Sequence, residues 1–362
     1  MMRTLCFLTG LLSTVFATTF GAHDKVFHIP SAPQNGSSKA QFTSTATGLG
    51  APKVHPINAS SFDWWYFDVV SSDADVFSSV VVTFFTSSQP AFPLLSPSDS
   101  IVVARIWVSF ANGTLWEATS DGDSATVIAD GDASTGTWHG TGFSWAGSPA
   151  SGYLITIDAP DAGVTGTISF RSVAPGHYPC GPIEAGQTLE VGPHIGWANA
   201  VPDATAVVDL LIGGNPFAFV GTGYHDKNWS DQIFTTHVAS WYWGHGRVGP
   251  YSIVWFDFLD RTGTEFVSAY ASKDNKIIAA TCAPGSIEVR PTGQNATFPP
   301  VLNLGGLGRL EVNVTVLVPL IGLNPAYARS FGSISGSIVP VEGHASKPLI
   351  GTALLEQFKL TR

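Results

Sequence analysis

The sequence predicts an all-β protein. Turn signals recur at short intervals between β-branched and aromatic runs, and no segment sustains a 3.6-residue apolar period with helix caps. The chain is 44% apolar and only 12% charged, with 38 Gly and 24 Pro, which favours strands and turns over surface helices. Because 362 residues more readily form two β domains than one, we expect an N-terminal β domain over 61–230 and a C-terminal β-barrel over 231–362.

Individual strands can be followed from residue 62 onward. The alternating run Val102–Phe110 meets Thr114–Ala118 across Asn112-Gly113, which is the strongest short-range hairpin signal. Other turns predict hairpins between 153–157 and 166–170, between 206–212 and 217–221, and through 251–259, 265–272 and 276–280. Further strands are expected at 79–85, 310–319, 333–339 and 351–358.

The N-terminus predicts a signal peptide over residues 1–22. Arg3 supplies the positive charge, Leu5–Phe16 is an apolar run, and small residues follow up to Ala22. A membrane anchor is the alternative, but the run is too short to span a bilayer comfortably. Residues 23–60 are rich in Ser, Pro, Ala and Thr and predict a loose N-terminal arm. We therefore expect a protein of the secretory pathway without a membrane span.

Cysteines and sequons agree with secretion. Cys6 leaves with the signal peptide, so Cys180 and Cys282 remain and can form one disulfide in an oxidising compartment. Glycosylation is expected at some of the sequons at Asn35, Asn58, Asn112, Asn295 and Asn313. Asn228 also lies in a sequon, but its aromatic surroundings predict a buried, unmodified side chain.

Several classes of function are disfavoured by composition and spacing. The net charge of −10 argues against binding nucleic acid or an anionic membrane, and favours a neutral or weakly charged ligand. The ten histidines lack metal-site spacing, so no metal is predicted. No Gly-X-Ser-X-Gly elbow is present, and Gly305-Gly-Leu-Gly308 lacks the setting of a dinucleotide site.

One region combines hydrogen-bonding groups with large aromatic rings. It consists of Gly221-Thr-Gly-Tyr-His-Asp-Lys-Asn-Trp229 and Trp241-Tyr-Trp-Gly-His245, a mixture that suits a pocket for an apolar organic molecule. Two smaller clusters, Asp63–Asp68 and His194–Asn199, have the same character. The alternative interpretation of Asp63–Asp68 is a core strand packed around tryptophan, and that of His194–Asn199 is a loop with satisfied polar groups.

These motifs resemble the hydroxyneurosporene synthase-like family, which includes bacterial carotenoid hydratases and fungal Diels–Alderases. The resemblance spans roughly residues 60–358, and Gly-Tyr-His-Asp-X-Asn-Trp is its most specific motif. It implies two lipocalin-like β domains with the substrate between them, and neither a metal nor another cofactor. The signal peptide and sequons look more like the fungal hetero-Diels–Alderases, which are thought to dehydrate an alcohol to a quinone methide before cycloaddition.

The resemblance implies a pericyclase that performs a [4+2] cycloaddition on a hydrophobic polyketide or terpenoid intermediate. The alternatives are an isoprenoid hydratase or dehydratase and a non-catalytic carrier. A homo-oligomer is also possible. The expected substrate-binding residues are Trp65, Trp197, Trp229, Trp241, Trp243 and Asn228, the expected catalytic residues are His225, Tyr224, His194, Asn199, His245, Asp63 and Glu356, and Asp226 is expected to be structural.

Overall fold

A computed structural model describes residues 25–45, 47–73, 75–93, 95, 97–289, 297–298, 300–323 and 326–360. The predicted signal peptide and the sequon at Asn295 lie outside these residues. The regular secondary structure of the described residues consists of strands, one helix, α1 (Phe234–His237), and 3-10 turns at Pro160–Ala162 and Gly305–Leu307. The all-β prediction is therefore confirmed.

The first seventeen strands precede α1. Their bounds are β1 Lys25–Pro30, β2 Lys39–Ala40, β3 Val54–His55, β4 Phe62–Ser71, β5 Ser79–Ser87, β6 Val102–Ser109, β7 Leu115–Asp121, β8 Ser124–Asp130, β9 Ala133–His139, β10 Phe143–Ser148, β11 Gly152–Ala159, β12 Val164–Ser172, β13 His177–Tyr178, β14 Gly181–Pro182, β15 Glu190–Gly192, β16 Ile195–Ile212 and β17 Asn215–Ser230. Most join one curled antiparallel sheet in the order β1-β8-β9-β10-β11-β12-β16-β17-β4-β5-β6-β7, while β2 and β3 pair separately.

The second sheet follows α1. Its strands are β18 Val238–Val248, β19 Tyr251–Asp260, β20 Glu265–Lys273, β21 Lys276–Thr281, β22 Ile287–Val289, β23 Thr297–Phe298, β24 Pro300–Asn303, β25 Arg309–Leu323, β26 Tyr327–Val339 and β27 Leu349–Lys359. The main path is β21-β20-β19-β18-β27-β26-β25-β24-β22. The link between the two sheets lies at residues 231–237, which include α1.

The predicted hairpins are present. β6 pairs with β7 across Asn112-Gly113, where Gly113 has a φ of 80°. β11 pairs with β12, β16 with β17, and β19 with β20 and then β21. Asp274 and Asn275 both have positive φ, 52° and 57°, the conformation that a two-residue type I′ hairpin turn requires.

The N-terminal arm, predicted to be loose, is instead tied to the first sheet. β1 pairs with β8 over all six of its residues. Two core indoles donate hydrogen bonds to arm carbonyls, Trp65 Nε1 to Gly50 O (2.8 Å) and Trp229 Nε1 to Gln41 O (3.0 Å). The arm is therefore held by hydrogen bonds of its backbone groups. The apolar periodicity of a sequence describes side chains and does not reveal such bonds.

Two central strands of the first sheet are covered on both faces. All ten residues of β4 are buried. Trp65 and Phe67 point into the core enclosed by the first sheet, whereas Trp64 and Tyr66 point into a second core shared with the other sheet. β17, the neighbour of β4, alternates likewise, with Trp229 in the first core and Tyr224 in the second.

Covalent and ionic links join the two sheets. Cys180, beside β13 and β14, forms a disulfide with Cys282, which follows β21. Arg247 on β18 donates two hydrogen bonds to the Asp203 carboxylate on β16, at 2.9 and 2.6 Å. Within the described ranges, no helix is long and apolar enough to cross a membrane.

Candidate active site

A cavity of about 170 Å³ lies in the core between the two sheets. Its aromatic walls include Trp64, Tyr66, Phe92, Trp107, Trp241 and Trp243. This volume is far larger than the roughly 10–15 Å³ that one water molecule requires. The cavity therefore has room for more than a single water molecule, and its aromatic lining with a few polar groups is typical of a site for an organic molecule.

Asp226 on β17 is the hydrogen-bonding centre of one wall. Its Oδ2 accepts hydrogen bonds from Trp197 Nε1 (2.8 Å) and Tyr224 Oη (2.9 Å). Its Oδ1 accepts one from Asn228 Nδ2 (3.0 Å). Asp226 and Asn228 both line the cavity because β17 directs alternate side chains to this face. One acceptor position on Oδ1 is left over, and a carboxylic acid proton fits there.

Burial favours the protonated form of Asp226. Desolvation raises the pKa of this carboxyl to about 8, although the hydrogen bonds from Trp197 and Tyr224 oppose the shift. The nearby carboxyl groups of Glu356 and Asp68 raise the pKa further. At neutral pH the cavity wall therefore carries a neutral carboxylic acid that can donate a proton.

A cation lies in the cavity wall formed by the second sheet. Arg329 on β26 donates from Nε to Glu356 Oε1 on β27 (2.6 Å), and Tyr327 Oη donates to the same oxygen (3.0 Å). The guanidinium carbon lies 4.7 Å from the centre of the Trp107 ring and 5.3 Å from that of Tyr66. All three side chains bonded in this way line the cavity, so the ion pair fixes a guanidinium group at its surface.

Several buried polar atoms of the cavity wall have no partner among the residues that the structure describes. They include Tyr66 Oη, Thr83 Oγ1, Arg105 Nε, Trp107 Nε1, Asn228 Oδ1, Trp241 Nε1 and Arg329 Nη1. Leaving such atoms unpaired costs free energy, roughly 1–3 kcal/mol each when no water or ligand reaches them. Most of them are donors, so the site is suited to a ligand that supplies oxygen acceptors.

Five of the residues singled out from sequence line this cavity. Trp241 and Trp243 form part of its aromatic wall, and Asn228, Asp226 and Glu356 contribute polar groups. Asn228 is only 3% exposed, and its amide nitrogen is bonded to Asp226. A glycan on that nitrogen would have no room in this fold.

Four other predicted residues, His225, Trp65, Trp229 and Asp63, point away from the cavity. They lie on the opposite face of β4 and β17, where Trp65 and Trp229 belong to the first core. His225 stacks on Phe67 at a ring distance of 3.8 Å, its Nδ1 lies 2.8 Å from Tyr66 O, and burial lowers its pKa to about 3. The physical reason is the two-residue period, which sends neighbours on one strand to opposite faces.

Asp63 forms a buried ion pair in that first core. Its Oδ1 accepts a hydrogen bond from Lys227 Nζ at 2.6 Å, and both side chains are fully buried. Lys227 Nζ also lies 3.2 Å from the centre of the Trp65 ring. Burial raises the pKa of Asp63 and lowers that of Lys227 to about 7. This pair supports the sheet behind the site and does not reach the cavity.

Five more predicted residues lie behind the cavity wall or away from it. Tyr224 and Trp197 do not line the cavity but bond to Asp226, as described above, and the Tyr224 ring packs against that of Trp243 at 5.1 Å. Asn199 donates from Nδ2 to His225 O (2.8 Å). His245 stacks on Tyr224 and pairs through Nε2 with Asp68 (3.0 Å). His194, with a φ of 59°, is partly exposed and pairs with Asp231.

Sequence reasoning missed Trp64, Tyr66, Trp107, Tyr327 and Arg329. Trp64 and Tyr66 belong to a run that was recognised, but the other face of its strand was chosen. Arg329 carries a detectable signal, because it shares one strand face with Tyr327 and Phe331 in a chain that has only 17 Lys and Arg residues. An arginine on an aromatic strand face indicates a polar contact within the core.

The remaining predicted features concern the surface and metals. Asn35, Asn112 and Asn313 are exposed and Asn58 is half-buried, and their glycosylation stays a prediction, as does the secretory location. Among the described residues, no three His, Cys, Asp or Glu side chains converge as metal ligands would.

Replacing Tyr224 by Phe is expected to raise the pKa of Asp226 and to lower stability by about 1 kcal/mol, since the carboxylate loses one donor. The pKa can be followed by the ¹³C shift of the labelled Asp226 carboxyl, and stability by urea unfolding. Tyr153→Phe is the matched control, because Tyr153 is equally buried in the first core and has no contact with Asp226. An unchanged Asp226 titration in Tyr224→Phe would contradict this coupling.

Sequence comparison identifies the class of protein. Residues 31–289 match the Diels-Alderase-like family, and the chain belongs to that family. This confirms the resemblance to fungal Diels–Alderases.

Individual relatives divide into two named activities. The chain is 38% identical over 294 residues to the quinolone epoxide rearrangement protein asqO of Emericella nidulans, covering 80% of each chain. It is 35% identical over 353 residues to the quinolone epoxide rearrangement protein penF of Penicillium thymicola, covering 92% of this chain and 95% of the relative. Diels-Alderase cheD of Chaetomium globosum is 26% identical over 64% of this chain and 54% of its own length.

Solved structures share the fold. The crystal structure of CghA with Sch210972 matches with a TM-score of 0.73 at 17% identity, covering 93% of this chain and 99% of that one. A putative AttH of Nitrosomonas europaea matches with a TM-score of 0.53 at 14% identity, covering 84% and 93%. The two-sheet architecture is thus common to proteins of very different sequence.

Proposed function

We propose that this protein is an isomerase that rearranges an epoxide of a quinolone-type substrate through proton donation by Asp226. The observation that carries the proposal is a buried carboxyl group on the wall of an aromatic cavity, where burial raises its pKa. Two relatives above 30% identity, both quinolone epoxide rearrangement proteins, supply the substrate class.

The chemistry follows from the groups at the wall. Asp226 donates its proton to the epoxide oxygen as one C–O bond breaks, which leaves positive charge on carbon. The faces of Trp64, Trp241 and Trp243 stabilise that charge, because aromatic rings attract cations when water is excluded. A neighbouring substituent migrates with its bonding electrons, a carbonyl forms, and the hydroxyl proton returns to Asp226. No atom is gained or lost.

Other wall groups orient the substrate. Arg329 Nη1 and Tyr66 Oη are unpartnered donors among the described atoms, and each can bond a carbonyl oxygen of the quinolone. Glu356 holds the guanidinium group in place by accepting the hydrogen bond from Arg329 Nε. A site lined in this way lowers the barrier by holding the substrate in position.

A [4+2] cycloaddition, the activity expected from sequence, is the second candidate. The same unpartnered donors favour it, because a hydrogen bond to a carbonyl polarises the electron-poor partner of a cycloaddition. The two activities differ in their need for a proton, since cycloaddition does not require a carboxylic acid.

The proposal is tested with two synthetic quinolone epoxides, one with the epoxide on the ring and one with it on an alkyl substituent. We expect the purified protein to convert one of them to a carbonyl isomer of unchanged mass, detected by chromatography, mass spectrometry and NMR. Heat-denatured protein is the control. Recovery of both epoxides unchanged, or as diols formed by addition of water, would reject the rearrangement. A tightly bound, unchanged quinolone would instead indicate a carrier.

A further inference from the structure

A second cavity of about 250 Å³ adjoins the first. It lies where the outer strands β5, β6 and β7 of the first sheet face β25 of the second. Trp107, Glu117 and Ile321 line both cavities. The two cavities are therefore neighbouring chambers that share a wall.

The two chambers differ in polarity. The first contains the unpartnered donors and the Asp226 carboxyl. The second is bounded by apolar side chains such as Val81, Leu115 and Leu320, and the hydroxyl of Ser109 there donates to Phe77 O at 2.7 Å. Apart from Trp107, no described residue of the second chamber has a buried side-chain nitrogen or oxygen without a partner.

Local strand geometry produces the apolar lining. On β7, Leu115 and Trp116 contribute apolar surface to the chamber, and Glu117, which the two-residue period places on the same strand face as Leu115, adds a carboxyl group beside it. On β25 the pairing register shifts between Pro319 and Ile321, and this irregularity allows Leu320 and Ile321 to line the same chamber. The chamber is therefore built by specific features of the strands.

The shared wall is held in place by charge. The guanidinium carbons of Arg105 and Arg329 lie 4.5 and 4.7 Å from the centre of the Trp107 ring. Arg105 is itself paired with Glu117 at 3.0 Å. These contacts fix the indole between the polar chamber and the apolar one.

We propose that the second chamber binds an apolar hydrocarbon chain of the same substrate whose polar ring system occupies the first chamber. The inference rests on the proposed function for the ring system. A molecule with acceptor oxygens at one end and a hydrocarbon chain at the other matches both linings at once. Trp107 is then the residue that determines how much of the chain passes from one chamber to the other.

The test measures binding of 2-quinolones that carry a methyl, butyl or octyl chain, by quenching of tryptophan fluorescence. Burial of each methylene should lower Kd about fourfold until the chamber is full. Leu115→Trp fills the outer end of the chamber and should weaken octyl binding at least tenfold while leaving methyl binding unchanged. Leu154→Trp, at a 44% exposed leucine on β11, is the matched control.

The outcomes separate the two proposals. Equal affinities across the series, or an equal loss for every chain length in Leu115→Trp, would overturn the second chamber alone. No binding by any member would overturn both the chamber and the quinolone class. Leu115→Phe places a smaller aromatic ring at the same half-exposed position and serves if Leu115→Trp does not fold. Circular dichroism of each variant ensures that affinities are compared between folded proteins.

Discussion

Replacing Asp226 by Asn is expected to lower the rate of rearrangement by roughly two to four orders of magnitude, the contribution typical of a general acid. The amide has the same size, and its oxygen still accepts hydrogen bonds from Trp197 and Tyr224. Asn228 has an unpartnered Oδ1 among the described atoms and can turn to accept the new N–H, so the wall is preserved. Only the transferable proton is lost. Single-turnover kinetics, with Kd measured separately, check this expectation.

The pH dependence gives an independent measure of the same group. Because the pKa of Asp226 is about 8 in the folded protein, the rate should fall as pH rises through 8. The raised pKa also means that the folded state keeps a proton that the unfolded chain has lost. Asp226 therefore lowers the free energy of unfolding progressively as pH rises from about 4 to 8, and Asp226→Asn should reduce that decline.

Asp209→Asn is the matched control, since Asp209 is exposed on the adjacent strand β16. It should leave both rate and pH profile unchanged. If Asp226→Asn retained more than about a tenth of the activity, proton donation by this residue would be excluded, because a general acid contributes at least about a hundredfold. Such a result would favour the cycloaddition.

Removing the disulfide with Cys180→Ser and Cys282→Ser together is expected to lower the free energy of unfolding by about 4–5 kcal/mol. The bond closes a loop across a sequence separation of 102 residues, and constraining so long a loop in the unfolded chain contributes about 4.7 kcal/mol. Urea unfolding of the variant and of the wild type measures the difference. Neither cysteine lines the cavity, so ligand affinity should be unchanged when the variant is folded.

The control for the two serine side chains is urea unfolding of wild-type protein whose disulfide has been reduced. Its stability should match that of the double variant, because both lack the same constraint. A loss below about 1 kcal/mol would contradict the expectation. It would show that residual structure already restricts the unfolded chain when the disulfide is absent.

Local sequence signals predicted much of the fold. Asn112-Gly113 and Asp274-Asn275 fix hairpins because their residues tolerate positive φ, and strands follow directly on either side. The arm at 23–60 was misjudged, since its order comes from backbone bonds to β8 and to core indoles. Such contacts depend on residues far away in the chain and leave no local pattern.

Only part of the site was predicted, because the missing part also depends on contacts between distant parts of the chain. The period of two shows that Trp64 and Tyr66 share a face and that Trp65 and Phe67 share the other, but it does not show which face meets the second sheet. Arg329 on β26 lies 5.3 Å from the Tyr66 ring on β4 because the two sheets pack together around the cavity. That juxtaposition is set by packing between sheets, which one strand cannot encode.

The double coverage of β4 and β17 has an evolutionary consequence. On one face of these strands, side chains such as Trp65, Phe67 and Trp229 belong to the first core, where substitution threatens folding. On the other face, Trp64, Tyr66, Asp226 and Asn228 line the cavity. Mutations at the cavity-facing positions can therefore alter chemistry while the supporting face stays intact. Within one inherited scaffold, selection can exchange a cavity-facing side chain such as Asp226 for another without redesigning the protein beneath it.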